Sequence, residues 1–135
     1  MAIPKSVAPW LVVDAEGRAH VEARRCSVCA AILTAPSLAC PSCGARGTLQ
    51  PFMVTPTGRL HSYSIVHRSF PGVTVPFISV VVDMDDGTVL KGNLRGVAPT
   101  PDAICFDMPV RLVFDDAGRQ DREGNRYVSY FFEAA

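Results

Sequence analysis

Two Cys-x-x-Cys pairs near the N-terminus constrain the fold of this chain more than any other feature. They read Cys-Ser-Val-Cys at residues 26–29 and Cys-Pro-Ser-Cys at residues 40–43, with ten residues between them. Two residues between cysteines allow a tight turn that points both sulfurs at one ion, and a second such turn completes a tetrahedral shell. The spacing therefore predicts a zinc ribbon whose metal ligands are Cys26, Cys29, Cys40 and Cys43.

The segment between the outer cysteines has too few large apolar residues to fold by burial alone. They are Val28, Ile32, Leu33 and Leu38. Such a small set cannot offset the conformational entropy lost in ordering a loop-rich stretch. Zinc binding contributes roughly 10–16 kcal/mol in small zinc modules at neutral pH. Four thiolates leave no coordination position open, which indicates a structural ion, and iron in a rubredoxin-like site stays an alternative.

Disulfides and a redox dithiol are the other interpretations of these cysteines. The N-terminus, Met-Ala-Ile-Pro-Lys-Ser, lacks the apolar run of a secretory signal, which disfavours a secreted disulfide framework. A redox dithiol accounts for one Cys-x-x-Cys pair but not for two matched pairs. We therefore expect a cytoplasmic, reducing location.

The composition is that of an ordinary globular protein. Of 135 residues, 48% are hydrophobic and 19% are charged. Thirteen basic residues balance thirteen acidic ones, which disfavours a protein that binds nucleic acid chiefly through its phosphates. No apolar run approaches the roughly 18 residues or more of a membrane span, so a membrane partner is not expected.

Most of the remaining sequence predicts β-strands. Residues 18–25 alternate between apolar and polar side chains, which predicts a strand leading into the first cysteine turn, and residues 49–54 form a return strand. After a turn at residues 55–58, the predicted strands are 59–67, 77–84, 88–94, 110–115 and 127–132. The second of these is nearly all apolar, as a strand buried on both faces would be. Five strands without a helical period predict a small closed or partly open barrel.

The predicted fold class is therefore mainly β, with an N-terminal four-cysteine ribbon followed by a five-stranded barrel. Residues 1–54 are expected to form an N-terminal arm and the ribbon, and residues 55–135 the barrel domain. Six stretches of the sequence carry a family resemblance in a fixed order. They are Cys-Ser-Val-Cys (26–29), Cys-Pro-Ser-Cys-Gly (40–44), Gly-Arg-Leu-His-Ser-Tyr-Ser-Ile-Val-His (58–67), Pro-Phe-Ile-Ser-Val-Val-Val (76–82), Leu-Lys-Gly-Asn-Leu (90–94) and Met-Pro-Val-Arg-Leu-Val-Phe (108–114).

In these stretches the chain resembles the zinc-ribbon and OB-fold acyl-CoA-associated proteins, long catalogued as domain of unknown function thirty-five. The resemblance implies an OB-fold barrel and a non-catalytic accessory subunit that binds or covers acyl-CoA. The implied partner is a thiolase-like enzyme that forms or cleaves carbon–carbon bonds, or a hot-dog-fold hydratase, in lipid or aromatic acid metabolism. The chain departs from the family at Ala30, where glycine is frequent, and at residues 10–25, where the helix usual before the ribbon is shortened or replaced.

Five residues are candidates for contact with CoA. His67, Arg68 and Phe70 follow the first barrel strand, in a loop of the kind with which OB-like barrels bind extended ligands. The alternative is a solvated loop whose phenylalanine caps the core. Asn93 offers an amide to a ligand or satisfies the end of a strand, and Arg95 offers a guanidinium to a phosphate or is an ordinary surface arginine.

Other residues near the ribbon and barrel have a structural and a functional interpretation. Arg24, Arg25 and Arg46 flank the ribbon and form either a rim for an adenosine phosphate or a solvated surface. Cys105, between Ile104 and an aromatic residue, is either a small buried apolar residue or a nucleophile, and the first is predicted.

The sequence contains three histidines, no nucleophile elbow and no phosphate loop, and its adjacent aspartates lie at predicted turns and do not form a convincing paired-carboxylate site. The chain is therefore not expected to be an enzyme on its own, but part of a complex of the thiolase, aldolase or acyltransferase type. Two rival functions remain open. A nucleic-acid-binding ribbon and OB module would use Tyr63 and Phe77 as stacking platforms, and rubredoxin-like electron transfer would require iron.

Overall fold

The computed structural model describes residues 3–135, and in these residues the chain forms ten β-strands and one short 3-10 helix at Pro101–Ala103. It divides into two compact units. Unit 1 comprises the chain up to Val54 together with Phe114–Ser129, and unit 2 comprises Thr55–Val113 together with Tyr130–Ala135. None of the described residues forms a helix of the length and hydropathy that a membrane crossing needs.

Unit 1 is organised around one strand that pairs with three others. Its strands are β1 (Lys5–Ser6), β2 (Leu11–Val13), β3 (Ala19–Cys26), β4 (Ile32–Leu33) and β5 (Leu49–Met53). Strand β3 pairs antiparallel with β2, β4 and β5. Val21 and Ala23 are buried on one face of β3, as its alternating sequence predicted. The strand ends at Cys26, so the first cysteine of the ribbon is the last residue of the central strand of this sheet.

The segment before the ribbon is a hairpin. Strands β2 and β3 are joined by a turn in which the Asp14 carboxylate accepts hydrogen bonds from the backbone N–H groups of Arg18, at 2.8 Å, and Glu16, at 3.0 Å. These bonds, that from Arg18 first, hold the pKa of Asp14 below its ordinary value. The described residues 3–25 contain no helix, and residues 11–13 and 19–26 are strands.

Unit 2 contains a closed barrel. Its strands are β6 (Thr57–Val66), β7 (Phe77–Met84), β8 (Val89–Leu94), β9 (Pro109–Gln120) and β10 (Arg126–Ala134), of which the last two continue into unit 1. The strand order is β6–β7–β8–β10–β9, and β9 pairs back onto β6 to close the barrel. Strands β8 and β10 run parallel, with Phe132 beside Leu94. The predicted mainly-β fold with a five-stranded barrel is confirmed.

Strand β7 differs from its prediction. Ile78, Val80, Val82 and Met84 are buried, whereas Phe77, Ser79 and Val81 are half-buried and Asp83 is exposed. The strand is paired on both edges with antiparallel neighbours, β6 and β8, so one face lines the barrel interior and the other faces outward. A continuous apolar run therefore does not require burial on both faces.

The first strand of the last hairpin is longer than predicted, since β9 continues past residue 115. Strand β9 runs through Gly118 to Gln120, and the turn follows at residues 121–125. The Asp121 carboxylate accepts hydrogen bonds from the Asn125 side chain at 2.9 Å, the Asn125 backbone N–H at 2.9 Å and the Glu123 N–H at 3.0 Å. The Asn125 side chain contributes most to lowering the pKa of Asp121, to about 2. In unit 1, Lys5 of β1 lies beside Tyr127 of β10.

The start of unit 2 is held by the β7–β8 hairpin. The Asp86 carboxylate accepts hydrogen bonds from the backbone N–H groups of Thr55 at 2.8 Å and Thr88 at 2.9 Å. The turn aspartate therefore makes one local bond and one bond across 31 residues. Gly58 lies so close to β7 that a Cβ there would stand 2.6 Å from the carbonyl oxygen of Asp83, which only glycine permits.

Candidate metal centre and barrel loops

Two backbone turns of the same geometry present the four cysteines. In the first, the N–H of Ala30 donates to the carbonyl of Cys26 at 2.9 Å, and in the second the N–H of Gly44 donates to the carbonyl of Cys40 at 2.8 Å. In each turn the N–H of the first cysteine donates to the carbonyl five residues later, at 2.9 and 2.8 Å. Ala30 has φ 65° and Gly44 has φ 80°. The alanine thus adopts the left-handed conformation that glycine takes in the second turn.

The four sulfurs have the spacing of a tetrahedral metal shell. All four Sγ atoms lie within 4.8 Å of one another. The Cys26–Cys43 sulfurs are 3.7 Å apart and the Cys29–Cys40 sulfurs are 3.6 Å apart. A tetrahedron with zinc–sulfur bonds of about 2.3 Å has sulfur–sulfur edges of about 3.8 Å, whereas a disulfide needs about 2.05 Å. The four residues therefore fit a four-thiolate metal site and not a disulfide pair.

Electrostatics within the cluster favour a cation. The Thr48 hydroxyl, 3.3 Å from the Cys26 sulfur, contributes most to lowering the pKa of Cys26 to about 6. The backbone N–H of Cys43 contributes most to lowering the pKa of Cys40. For Cys43 the N–H of Ala45 lowers the pKa, but burial and the three other sulfurs outweigh it and raise the pKa to about 11. Four thiolates at this spacing repel one another, and a bound cation would compensate that charge.

The cluster is half buried and half open to solvent. Cys26 and Cys40 are each 1% exposed, whereas Cys29 and Cys43 are exposed. The first cysteine of each turn is therefore packed into the fold, and the second lies at the surface. An ion held here would have two buried and two exposed ligand residues.

The three predicted loop residues lie together and are solvent-accessible. His67, Arg68 and Phe70 are exposed in the loop between β6 and β7, and Phe70 is 83% exposed. Phe70 does not cap the barrel core. Because Val66 pairs with Phe77 at the end of β6, the loop leaves the barrel at the end of the sheet where β7 begins.

The two predicted residues beyond the loop differ in their surroundings. Asn93 is exposed on β8. Arg95 follows β8, with its Nε donating to Glu133 Oε2 at 3.2 Å and its guanidinium 4.5 Å from the centre of the Phe131 ring. The other oxygen of Glu133 accepts a hydrogen bond from Arg111 at 3.2 Å. Sequence reasoning missed this arginine–glutamate–arginine set, because its members are 22 and 38 residues apart and carry no local signal.

Cys105 is exposed, and its prediction as a buried residue is wrong. Ile104 fills the core position instead, with 4% exposure. The chain then turns outward, with the N–H of Met108 donating to the carbonyl of Cys105 at 3.3 Å and Asp107 at φ 65°. Phe106 consequently points to the surface, where it is 69% exposed and lies 5.5 Å from the ring of Tyr63.

Comparison with known proteins identifies the family. Residues 44–115, more than half of the chain, match the family described as "ChsH2, C-terminal OB-fold domain". The chain belongs to this family. The matched residues include β6, β7, β8 and the first part of β9 of the barrel in unit 2.

Relatives of the chain carry the names of enzyme subunits and a scaffold. A "Probable enoyl-CoA hydratase alpha subunit" of Thermomonospora curvata is 32% identical over 82% of this chain, which spans about a third (34%) of that relative's length. A "DUF35 domain-containing scaffold protein" of Methanothermobacter thermautotrophicus is 24% identical over 86% of each chain. The solved structure of an "Ltp2-ChsH2(DUF35) aldolase" has a TM-score of 0.67 and 28% identity, covering 85% of this chain and 84% of that chain.

The left-handed alanine of the first cysteine turn leads to a stability prediction. The left-handed conformation costs an alanine about 1–2 kcal/mol of folding free energy. A glycine avoids this strain but lowers the folding stability by about 0.4–1 kcal/mol, because its unfolded state has more conformational entropy. We therefore expect Ala30→Gly to raise the unfolding free energy of the metal-loaded protein by roughly 0.5–1 kcal/mol, measured by urea denaturation. Gly44→Ala is the matched control and should lower it by a similar amount, since no atom lies within 4 Å of the added Cβ. A destabilised Ala30→Gly protein would contradict the strained geometry.

Proposed function

We propose that this chain is a non-catalytic accessory subunit that binds or covers acyl-CoA in complex with a thiolase-like enzyme. The observation that carries the proposal is the combination of a four-thiol ribbon and an OB-fold barrel in one chain. Its likeness to the aldolase structure extends over 85% of the chain, which is more than either unit alone. Such a subunit would contribute by orienting a bound thioester and by excluding water from a shared site.

The metal is assigned a structural role in this proposal. Cys26, Cys29, Cys40 and Cys43 would hold Zn²⁺, with iron as the alternative, through the sulfur geometry described above. The bound ion would supply charge compensation and a cross-link between the two cysteine turns. In this proposal, residues 1–54 form the ribbon and its interface with the partner enzyme, and residues 55–135 contact the ligand.

The exposed loop and Arg95 form the proposed CoA-contacting surface. His67 and Arg68 offer cationic and hydrogen-bonding groups, and the exposed ring of Phe70 offers an apolar surface to pantetheine. Arg95 belongs to a set with Arg111 and Glu133 that contains two positive charges and one negative charge. The remaining positive charge suits a phosphate. Asn93 is assigned a hydrogen bond to a ligand amide.

A second candidate is an accessory role in a hot-dog-fold enoyl-CoA hydratase. The observation that favours it is the relative named as a hydratase alpha subunit, which is 32% identical to this chain, against 24% for the scaffold protein. The scaffold protein and the aldolase chain match this chain over 86% and 84% of their own lengths. We place the thiolase-like partner first because these two likenesses extend over most of this chain and most of the similar chain, whereas this chain spans only 34% of the hydratase subunit.

The partner can be identified directly. We expect the tagged chain, isolated from its native cell extract, to carry a thiolase-like subunit in stoichiometric amount, identified by mass spectrometry. Recovery of a hydratase subunit would establish the second candidate. Recovery of nucleic acid or ribosomal proteins without a CoA enzyme would overturn the accessory role.

The CoA-contacting loop gives a separate prediction on the purified complex. Arg68→Glu should weaken CoA binding roughly ten-fold, because a charge-assisted contact is replaced by repulsion. The measurement is isothermal titration of the complex with CoA. Arg119→Glu, which changes an exposed arginine of unit 1, is the matched control and should bind CoA as the wild type does. Equal affinity of both variants and the wild type would remove this loop from the site.

A further inference from the structure

The ribbon carries a long segment without charge. Residues 26–45 contain no aspartate, glutamate, lysine, arginine or histidine. Charged residues make up 19% of the chain, so twenty residues of average composition would contain about four. Most of this segment is exposed, including residues 27–30, 35–38 and 41–44. A surface so depleted of charge is unusual for a protein face that meets only water.

Two large apolar side chains project from this charge-free segment. Leu38 is 90% exposed and Val28 is 67% exposed. Neither contributes appreciably to the packing of unit 1, because so little of either side chain is buried. Exposed apolar groups in a rigid loop reduce solubility without a gain in folding stability, and they commonly mark a surface that a partner covers.

Arginines border the charge-free segment at both of its ends. Arg24 and Arg25 precede the first cysteine, and Arg46 follows the second turn. The Arg25 guanidinium lies 5.2 Å from the centre of the Phe52 ring, and Arg24 lies 3.7 Å from Glu22. A charge-depleted centre with arginine at its edge is the composition of a protein–protein interface. With three arginines and the single carboxylate of Glu22, the rim has a net positive charge, which suits a partner whose facing edge carries carboxylates.

We propose that residues 26–45 are the docking surface for the acyl-CoA enzyme subunit of the proposed complex, whose facing surface is apolar and edged by carboxylates. The inference rests on the proposed function and assigns the partner's contact to the ribbon. The first cysteine turn presents Val28 on backbone held by hydrogen bonds, and the Ser37 hydroxyl donates to the carbonyl of Ala39, across Leu38, so little conformational entropy is lost on docking. Docking would also cover Cys29 and Cys43, which are exposed.

Two other occupants fit this surface less well. A second copy of the chain, docked through the same face about a two-fold axis, would bring the arginine rims together and repel. A nucleic acid requires cations across the contact area to neutralise its phosphates, and the centre of this segment contains none. Charge complementarity therefore favours a different protein with an acidic edge.

The test uses the full chain with charges placed on the proposed surface. We expect the double variant Val28→Glu, Leu38→Glu to recover at least about ten-fold less of the acyl-CoA enzyme subunit than the wild type does. The reason is that docking would bury unpaired carboxylates. Its metal content and thermal midpoint should be unchanged, because both side chains are exposed. Met53→Glu is the matched control: it lies in unit 1 outside the segment, is 66% exposed, and should recover the partner fully.

A second measurement does not depend on substitutions. In the purified complex, amide hydrogen exchange within residues 26–45 should be slower than in the free chain, while exchange at Met53 should be unchanged. Full recovery by the double variant with no slowing overturns this inference and leaves the proposed function intact. Equal loss with Met53→Glu also overturns it. If the wild type recovers no acyl-CoA enzyme, or only copies of itself or nucleic acid, both proposals fail.

Discussion

A Cys40→Ser variant is expected to lose its bound metal and the cooperative unfolding of the ribbon. Cys40 is 1% exposed, and its sulfur lies 3.6 Å from that of Cys29. The exchange leaves three thiolates and a neutral hydroxyl, which is a poor zinc ligand. A large share of the roughly 10–16 kcal/mol that zinc contributes in small modules should be lost. The charge-free segment cannot replace it by burial, since Val28 and Leu38 are exposed.

Metal content and urea denaturation measure the effect of this change. Elemental analysis of the wild type should give one ion per chain and identify it as zinc or iron, and the variant should contain little. Cys105→Ser is the matched control, because Cys105 is exposed and lies in unit 2, outside the cluster. It should retain the metal and the wild-type stability. One metal ion per chain with unchanged stability in Cys40→Ser would refute the four-thiolate site.

A Phe132→Ala variant is expected to lower the unfolding free energy of the barrel by about 3–5 kcal/mol. Phe132 is 0% exposed, and its ring lies 6.2 Å from that of Tyr130 in an edge-on arrangement. It stands beside Leu94 where β10 and β8 run parallel. Its ring also fills the space above Gly92, where a Cβ would come within 2.9 Å of it. Truncation would therefore leave a cavity at the seam between these two strands.

Denaturation by urea, followed by circular dichroism, provides the measurement. Phe131→Ala is the matched control on the adjacent position of β10. Phe131 is half-buried and packs under the guanidinium of Arg95, so its loss should cost about 0.5–1 kcal/mol from that cation–π contact together with a modest packing term. Equal effects of the two substitutions would show that the seam does not depend on Phe132.

The strands and the cysteine cluster were predictable because each depends on local pattern. The alternation at residues 18–25 corresponds to β3, and the Asp85-Asp86-Gly87 turn separates β7 from β8. A Cys-x-x-Cys pair forms one backbone turn, so its geometry needs only a few neighbouring residues. The first turn tolerates Ala30 because the same hydrogen bonds form at φ 65°.

Other features depended on contacts that no local pattern records. The outward face of β7 is set by its pairing with β6 and β8, and the exposure of Cys105 by the turn that follows Ile104. Short strands such as β1 and β4 have two residues each, which is too few for a period to appear. Arg95 meets Glu133 and Phe131 only because the fold brings the end of β8 next to β10.

By itself, the sequence determined the four-cysteine cluster, the mainly-β class and the positions of the barrel strands along the chain, because turn spacing and side-chain alternation are local properties of a chain. Only the tertiary structure decided that Glu133 holds Arg95 and Arg111, that Asp86 reaches Thr55, and that Val28 and Leu38 remain uncovered. The contacts of Glu133 and Asp86 join residues that are distant in sequence. The exposure of Val28 and Leu38 depends on the absence of other segments packed against them. Each is set by the folding of the whole unit and cannot be read from one segment.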